Sequence, residues 1–304
     1  MNKDYHISVL LKESVDGLNI RPKGIYVDLT FGGGGHSQEI LSRLSEGRLL
    51  AFDQDLEAFD NKIADDRFEL IYGNFNFLKN YLKYHKAEQV DGILADLGVS
   101  SHHFDKEDRG FSFRYEADLD MRMNRASGLT AKEVVNAYTK EQLLDVFWQY
   151  GEIKNARKLV DCILNARSEK LINTTLEFTD VIQPCAKKHQ EHKYFAQVFQ
   201  AIRIEVNQEL QALKNMLEQS VKVLKPKGRL VVITYHSLED RLVKNFIKKG
   251  KFVGELEKDF YGNSNRPFKE VNRKVIVPSA EELKINPRSR SAKLRIAERL
   301  DEDI

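Results

Sequence analysis

Two rhythms of apolar and polar positions run through this chain, and the switch between them divides it. Short, β-prone apolar runs at residues 25–29, 49–52, 68–72, 90–96 and 229–234 each read as a buried parallel strand. Between the first of them the spacing turns helical, with Ile40, Leu41 and Leu44 on one face and a further helix predicted over 56–64. From about Asp105 the alternation of strand and helix stops. An irregular, charged and aromatic connection follows, containing Arg109-Gly110-Phe111-Ser112-Phe113 and Asp118-Leu119-Asp120-Met121-Arg122-Met123. Two capping boxes, Thr130 with Glu133 and Thr139 with Gln142, then announce helices whose apolar faces carry Val134, Leu143, Leu144, Phe147 and Trp148. Further helices are predicted over 153–166 and 176–186, and one long helix over 194–224 has Phe199, Ile202, Val206, Leu210, Leu213 and Leu217 along one side. The α/β rhythm returns after the turn Lys225-Pro226-Lys227-Gly228, with a helix over 241–248 and candidate closing strands over 274–277 and 292–297. The pattern thus predicts a mostly parallel, Rossmann-like α/β domain from residues 1–104 and 213–304, interrupted by an all-helical insertion over 105–212. The segment before the first strand, with Val9, Leu10, Val15 and Leu18 on a rough helical face, is expected to pack on the sheet or cover its site. His6 reads as a polar group facing a ligand or as a surface or capping histidine.

The candidate chemistry gathers at the ends of these strands. Gly32 to Gly35 follow the first strand at once and open onto a helix, so the backbone there can take positive φ and approach a ligand closely. The second strand ends in Asp53, as in a βαβ site whose acid accepts from ribose hydroxyls. A dinucleotide fingerprint would need glycine where Ser37 stands, and a phosphate-binding loop would need a lysine that is absent. S-adenosylmethionine (SAM), an adenosine ligand without a pyrophosphate, is favoured over NAD; a tight turn with nothing bound is the remaining reading. Asp28, Asp53 and Asp96 stand at or near the ends of three strands. One such acid is often a helix cap, whereas three on one edge suit a ligand with an amino group and ribose hydroxyls. Phe75, after the third strand, is placed either against an adenine or in the core.

Composition narrows the class. With 304 residues, 41% hydrophobic and 31% charged, the chain can bury a sizeable core. No apolar run approaches the roughly 18 residues of a membrane span, and the N-terminus lacks a signal-peptide core. Two cysteines, Cys162 and Cys185, are too few for a disulfide framework or a zinc site, so the cytoplasm is the expected location. The net charge of +2 conceals an asymmetry: residues 222–299 hold 20 Lys and Arg against 9 Asp and Glu. That suits a polyanionic partner, or equally a solvated surface. His189-x-x-His192 reads as solvated loop, and His36 has no second ligand at a spacing that would suggest a metal.

Several long motifs run through the chain: His6-x-x-Val9-Leu10-Leu11-x-Glu13, Asp28-x-Thr30-Phe31-Gly32-x-Gly34-Gly35-His36-Ser37, Asp91-Gly92-Ile93-Leu94-x-Asp96-Leu97-Gly98-Val99-Ser100-Ser101, Arg109-Gly110-Phe111-Ser112-Phe113, Leu119-Asp120-Met121-Arg122-Met123, Phe199-Gln200-Ala201-x-Arg203-Ile204-x-Val206-Asn207, His236-Ser237-Leu238-Glu239-Asp240-Arg241 and Asn286-Pro287-Arg288-x-Arg290-Ser291-x-x-Leu294-Arg295. From His6 to Arg299 they resemble one family, the bacterial ribosomal RNA small-subunit methyltransferase H (RsmH, MraW) family. The resemblance implies a class I SAM-dependent methyltransferase fold and N4-methylation of one cytidine in the decoding region of 16S rRNA of the 30S subunit, with SAM consumed as methyl donor and no metal. It implies SAM contacts at Gly34, Gly35, His36, Asp53, Phe75, Asp96 and His103. The family often has Pro-Gln where this chain has His102-His103. The helical insertion would recognise the RNA, and the oligomeric state is left open, a homodimer included.

For the reaction itself, many amino-methyltransferases hold the amine with an Asp/Asn-Pro-Pro-Tyr turn. Here that place reads Asp96-Leu97-Gly98-Val99, so those roles do not transfer. Carbonyl or hydroxyl groups in residues 98–101 are expected to accept from the amine, with Tyr235 or His236 bordering the base. Phe111 and Phe113 read either as stacking partners for an unstacked base or as loop packing. Two rival readings are an NAD-dependent oxidoreductase and a non-catalytic RNA-binding factor; the second accounts for the basic portion but not for the glycine turn and acids together.

Overall fold

A computed structural model of the chain describes residues 8–99, 107–126, 128–257 and 266–301. The chain divides into two compact units, Met1–Gly98 with Leu210–Ile304, and Val99–Glu209.

The first unit is built on seven strands: β1 Ile25–Asp28, β2 Arg48–Asp53, β3 Phe68–Tyr72, β4 Val90–Asp96, β5 Leu224–Thr234, β6 Phe268–Glu270 and β7 Lys293–Arg299. Their order across the sheet is β3-β2-β1-β4-β5-β7-β6. Strands β1 to β5 are mutually parallel, and β7 runs antiparallel between β5 and β6. Strand order reverses between β1 and β4, which makes the carboxyl ends of those two strands the topological switch point where such sheets bind ligands.

The strand sequences are apolar on both faces because both faces are covered. Tyr26, Leu49, Ala51, Leu94, Val231 and Ile233 pack with Leu18 of the N-terminal segment, with Val15 of helix α1 (Leu11–Gly17) and with Ile40 and Leu41 of helix α2 (Gly35–Arg43). Val27, Leu50, Phe52, Ile93, Leu230 and Val232 face the other way, onto Leu78 and Leu82 of helix α3 (Leu78–Tyr84), Met216 and Leu217 of the helix Glu209–Val223, and Val243 and Phe246 of the helix Ser237–Lys249. The N-terminal segment therefore packs on the sheet.

Two expectations change at the edges of this sheet. Residues 274–277 do not form a strand. Ile276 makes an isolated bridge to Leu294, and the closing strand is β6, starting at Phe268, which is fully buried and so secures that pairing. The helix predicted over 56–64 is a 3-10 helix, Leu56–Asn61, started by the Asp55 side chain accepting from Glu57 N.

The second unit is helical, with helices Ala131–Ala137, Lys140–Gln149, Ala156–Glu169, Thr175–Ile182 and Glu191–Asn207 around Val134, Leu143, Phe147, Leu159, Ile163, Phe178 and Ile202. Both expected capping boxes form, and a third joins Thr174 to Glu177. Trp148 does not join the core; it is 43% exposed. The long helix expected over 194–224 is two helices, Glu191–Asn207 and Glu209–Val223, separated by Gln208 at φ 50°. Its apolar stripe serves two cores: Phe199, Ile202 and Val206 belong to the helical core, and Leu213 and Leu217 to the sheet core. One straight rod need not satisfy both, and the turn at Gln208 lets each half bury its own face. A left-handed conformation disfavours a side chain, so Gln208→Gly is expected to stabilise the fold by about 0.5–1 kcal/mol, read from the midpoint of urea unfolding.

Much of the charged-aromatic connection is internal stitching of this unit. Arg109 is buried, and its guanidinium donates to the carbonyls of Arg122 and Met123, each at 3.1 Å. The Asn207 amide donates to Met121 O at 2.8 Å and accepts from Met123 N at 2.8 Å. Gly110 at φ 72° leaves room for Asp118 O, which a Cβ would approach to 2.4 Å. Phe113 lies against Phe195 and Phe199, with ring centroids 5.8 and 5.7 Å away, and Phe111 is buried in the same core. Of the two readings of these rings, the structure takes packing.

Candidate active site

The site is assembled at the carboxyl edge of β1, β2, β4 and β5. Register aligns those ends: Asp28 stands beside Leu94, and Asp96 beside Ile233. The turn after β1 leads into α2 through Gly34, at φ 79°, which is the N-cap and offers no capping side chain. The N-cap therefore supplies no side-chain acceptor of its own to the first turn of α2, the kind of helix N-terminus that can receive an anionic ligand group. Among the described residues, a Cβ added at Gly32 or Gly33 would meet nothing within 4 Å. At Gly35 a Cβ would come within 2.1 Å of Ser8 Oγ; this glycine is needed for packing by the N-terminal segment.

Three acids end the strands, but their roles differ. Asp28 is fully buried; one oxygen accepts from Thr30 N at 3.1 Å and the other from Ser37 Oγ at 2.7 Å. Burial raises its pKa, against the hydrogen bond from Ser37. It braces the glycine turn from beneath, which corrects its grouping with the ligand-facing acids. Asp53 holds the turn from the other side, accepting from Gly32 N at 2.9 Å and Asp55 N at 2.8 Å. Each carboxylate oxygen has a second lone pair, so Asp53 can orient the turn and still accept from a ligand hydroxyl.

Asp96 is held at the meeting point of β1, β4 and β5. Its backbone N–H donates to Thr30 Oγ1 at 2.7 Å, tying the ends of β1 and β4 together across the switch point. Tyr235, directly after β5, donates its hydroxyl to Asp96 Oδ1 at 2.7 Å. His36 Nδ1 lies 3.9 Å from Asp96 Oδ2, and its Nε2 is 3.1 Å from Val9 O, which requires Nε2 to carry the proton. Burial pushes the Asp96 carboxyl up to about 6; His36 and the Tyr235 hydrogen bond pull the other way, and Asp28 and Glu239 push with burial. The Tyr235 hydroxyl is held well above its usual range by burial and by Asp96. Its ring also covers Gly98, where a Cβ would sit 3.1 Å from Cδ2.

The neighbouring histidine is occupied otherwise. His236 caps the helix Ser237–Lys249 in a fourth capping box, with Glu239 accepting in return from His236 N at 3.4 Å and also from Tyr235 N at 2.9 Å. Phe75 begins a short 3-10 turn after β3, half-buried against the sheet core. Asn74 beside it donates to Gln54 Oε1 at 2.6 Å, joining the segment after β3 to the residue after Asp53. His103, together with His6, Ser100 and Ser101, lies outside the described residues. Among the expected site residues, Gly34, Gly35, His36, Asp53, Phe75 and Asp96 share one sheet edge. Thr30 and Ser37, which hold Asp96 and Asp28, are members of the same motif but carried no distinguishing signal, since a hydroxyl's partner depends on which strand lies beside it.

The match to known proteins covers this whole arrangement. The family model for the MraW methylase family matches residues 3–300. The chain belongs to the MraW methylase family. The ribosomal RNA small subunit methyltransferase H of Parabacteroides distasonis is 60% identical over 298 residues, covering 97% of this chain and 98% of its own. That of Bacteroides thetaiotaomicron is 59% identical over 303 residues, 98% of this chain and 100% of its own. Among solved structures, an rRNA methylase from Streptococcus thermophilus aligns with 97% of this chain and 99% of its own, at 14% identity and a TM-score of 0.42. The parallel sheet with an antiparallel β7 inserted between β5 and β6 is the class I methyltransferase fold, as expected from the motifs. Among the described residues no helix is long and apolar enough to cross a membrane.

Proposed function

We propose that this chain transfers the methyl group of SAM to N4 of one cytidine in the decoding region of 16S rRNA. Methylation of small-subunit rRNA is supported by membership of the methylase family and by relatives of that name that are some 60% identical along their whole length. The cytosine amine and its position rest on the resemblance of the motifs. The single observation that carries a methyl-transfer site is the switch-point cluster: a glycine turn entering the N-terminus of α2, with no described residue within 4 Å of a Cβ at Gly32 or Gly33, flanked by Asp53 and by the Asp96–Tyr235 pair.

These residues fit SAM. The α2 amides at Gly35 and His36 would take its carboxylate, Asp53 its ribose hydroxyls, and Phe75 would border its adenine. Bound there, SAM supplies an already activated methyl group, so the protein need only position and deprotonate the acceptor. The cytosine N4 lone pair is delocalised into the ring and becomes nucleophilic only when the amine is held in an attack geometry. Asp96 suits this role because it is fixed by Tyr235 and Thr30, ionised at neutral pH, and raised far enough to accept a proton as the N–C bond forms. Residues 98–101 would contribute further acceptors. The helical unit would recognise the RNA, and the protein would act in the cytoplasm.

The proposal is tested by incubation with methyl-labelled SAM and 30S particles or protein-free 16S rRNA, followed by digestion to nucleosides. Label in N4-methylcytidine from a single position is expected. Label in another nucleoside, or no transfer to either substrate, would refute the proposal.

A further inference from the structure

The C-terminal basic residues are of two kinds. Some are consumed by the fold: Arg229 pairs with Glu298 at 2.8 Å, and Arg295 with Asp240 at 2.7 Å. Arg273, Lys274, Lys284 and Arg290 are exposed and form no salt bridge among the described residues. The nearby acid Glu282 is occupied by Leu10 N, at 2.8 Å, leaving Glu281 as the exposed acid of that helix.

Topology brings these four cations to the same sheet edge as the site. Because β7 is antiparallel to β5, its first residue, Lys293, stands beside Thr234, the residue before Tyr235. The 3-10 turn Pro287–Ser291, which carries Arg290, runs directly into that point. Strand β6 is antiparallel to β7 and so points the same way as β5. Arg273 and Lys274 follow its carboxyl end, between the bond from Val271 N to Ile296 O at 3.0 Å and the Ile276–Leu294 bridge. Lys284 lies in the helix Ala280–Ile285, which Glu282 ties to the N-terminal segment beside His36.

We infer that this rim is the track for the RNA phosphate backbone next to the target nucleotide, so that the methyltransferase unit itself, and not the helical unit alone, holds the substrate strand. The inference rests on the proposed RNA substrate and adds to it the surface that contacts it. Exposed cations without carboxylate partners are the groups that release counterions when they meet phosphates, whereas paired ones must first lose a partner. Their place beside Tyr235 allows one strand to lie along the rim while its base enters the switch-point crevice.

The test compares the triple variant R273A/K274A/R290A with the control K83A/K222A/K227A, which removes three exposed lysines near the amino ends of β4 and β5, at the opposite edge of the sheet. Binding to protein-free 16S rRNA is measured against salt, and methyl transfer to 30S particles against substrate concentration. The rim variant is expected to bind RNA at least about tenfold more weakly at 0.1 M salt, with the salt slope reduced by about 2. Its KM for the particle should rise with kcat and SAM affinity unchanged, and the control should match the wild type. Equal behaviour of the two variants would overturn the inference. So would a defect on 30S particles without one on protein-free RNA, because the rim would then meet a ribosomal protein. Should the wild type methylate neither substrate, the proposed function fails, while the RNA-binding comparison still decides the role of the rim.

Discussion

Asp96→Asn is expected to abolish methyl transfer while making the fold more stable at neutral pH. In the proposed reaction the carboxylate receives a proton from the amine, and removing a general base of this kind costs about 10²–10⁴-fold in rate. The same carboxylate is a burden on the fold. Its pKa is raised from 3.8 to about 6, chiefly by burial. A raised folded-state pKa contributes stability that is fully present below the unfolded value and lost as pH rises through the folded one. At pH 7 the ionised group therefore costs up to about 3 kcal/mol, less whatever solvent screening and relaxation recover. An amide keeps an acceptor for the Tyr235 hydroxyl and carries no charge. Urea unfolding at several pH values checks the sign: the variant should be the more stable protein at pH 7 and lose that advantage between about pH 6 and pH 4. In the wild type, single-turnover transfer should fall as pH drops through about 6, where the base becomes protonated. A variant that is less stable than wild type at every pH, or one that retains full activity, would remove Asp96 from this role.

Asp53→Ala is expected to weaken SAM binding by about 10²-fold, since a charge-assisted hydrogen bond to a hydroxyl is worth about 1.5–3 kcal/mol and the turn loses support as well. The second loss follows from the bonds Asp53 makes to Gly32 N and Asp55 N. Without them, four consecutive glycines have little to hold the shape that opens α2. Isothermal titration with SAM reads the affinity. Asp53→Asn, which keeps an acceptor but no charge, should fall between the two. Because the effect is on binding, kcat should recover at saturating SAM in the asparagine variant. An unchanged dissociation constant for Asp53→Ala would falsify the assignment of this acid to the adenosine ligand.

Both predictions depend on one property of the sheet edge: the groups that hold the turn and the groups that would meet the ligand are neighbours, and in Asp53 they are the same group. A substitution there therefore perturbs shape and chemistry together. At Asp96 the two can be separated, because Tyr235 and Thr30 fix its position through separate atoms.

Local signals in the chain were enough to specify strands β1 to β5, the glycine turn, Asp53 and Asp96 at their strand ends, and the capped starts of the helices after Thr130 and Thr139. Buried parallel strands must be continuous in apolar residues, capping boxes span four positions, and the family motifs are contiguous stretches. The assembled fold was needed wherever the outcome depends on partners distant in the chain. Asp28 and Asp96 look alike as strand-end acids, yet one is buried against Ser37 and the other is held by Tyr235, 139 positions away. The apolar stripe that predicted one long helix is shared between two cores, and periodicity does not encode which core each turn faces. Residues 274–277 have the composition of a strand, but after Val271 N bonds Ile296 O the chain leaves β7 and returns to it only at Ile276, which makes a single bridge to Leu294. Even the basic excess of the C-terminal portion became specific only when β7 reversed direction and brought its exposed cations to the edge where the acids stand.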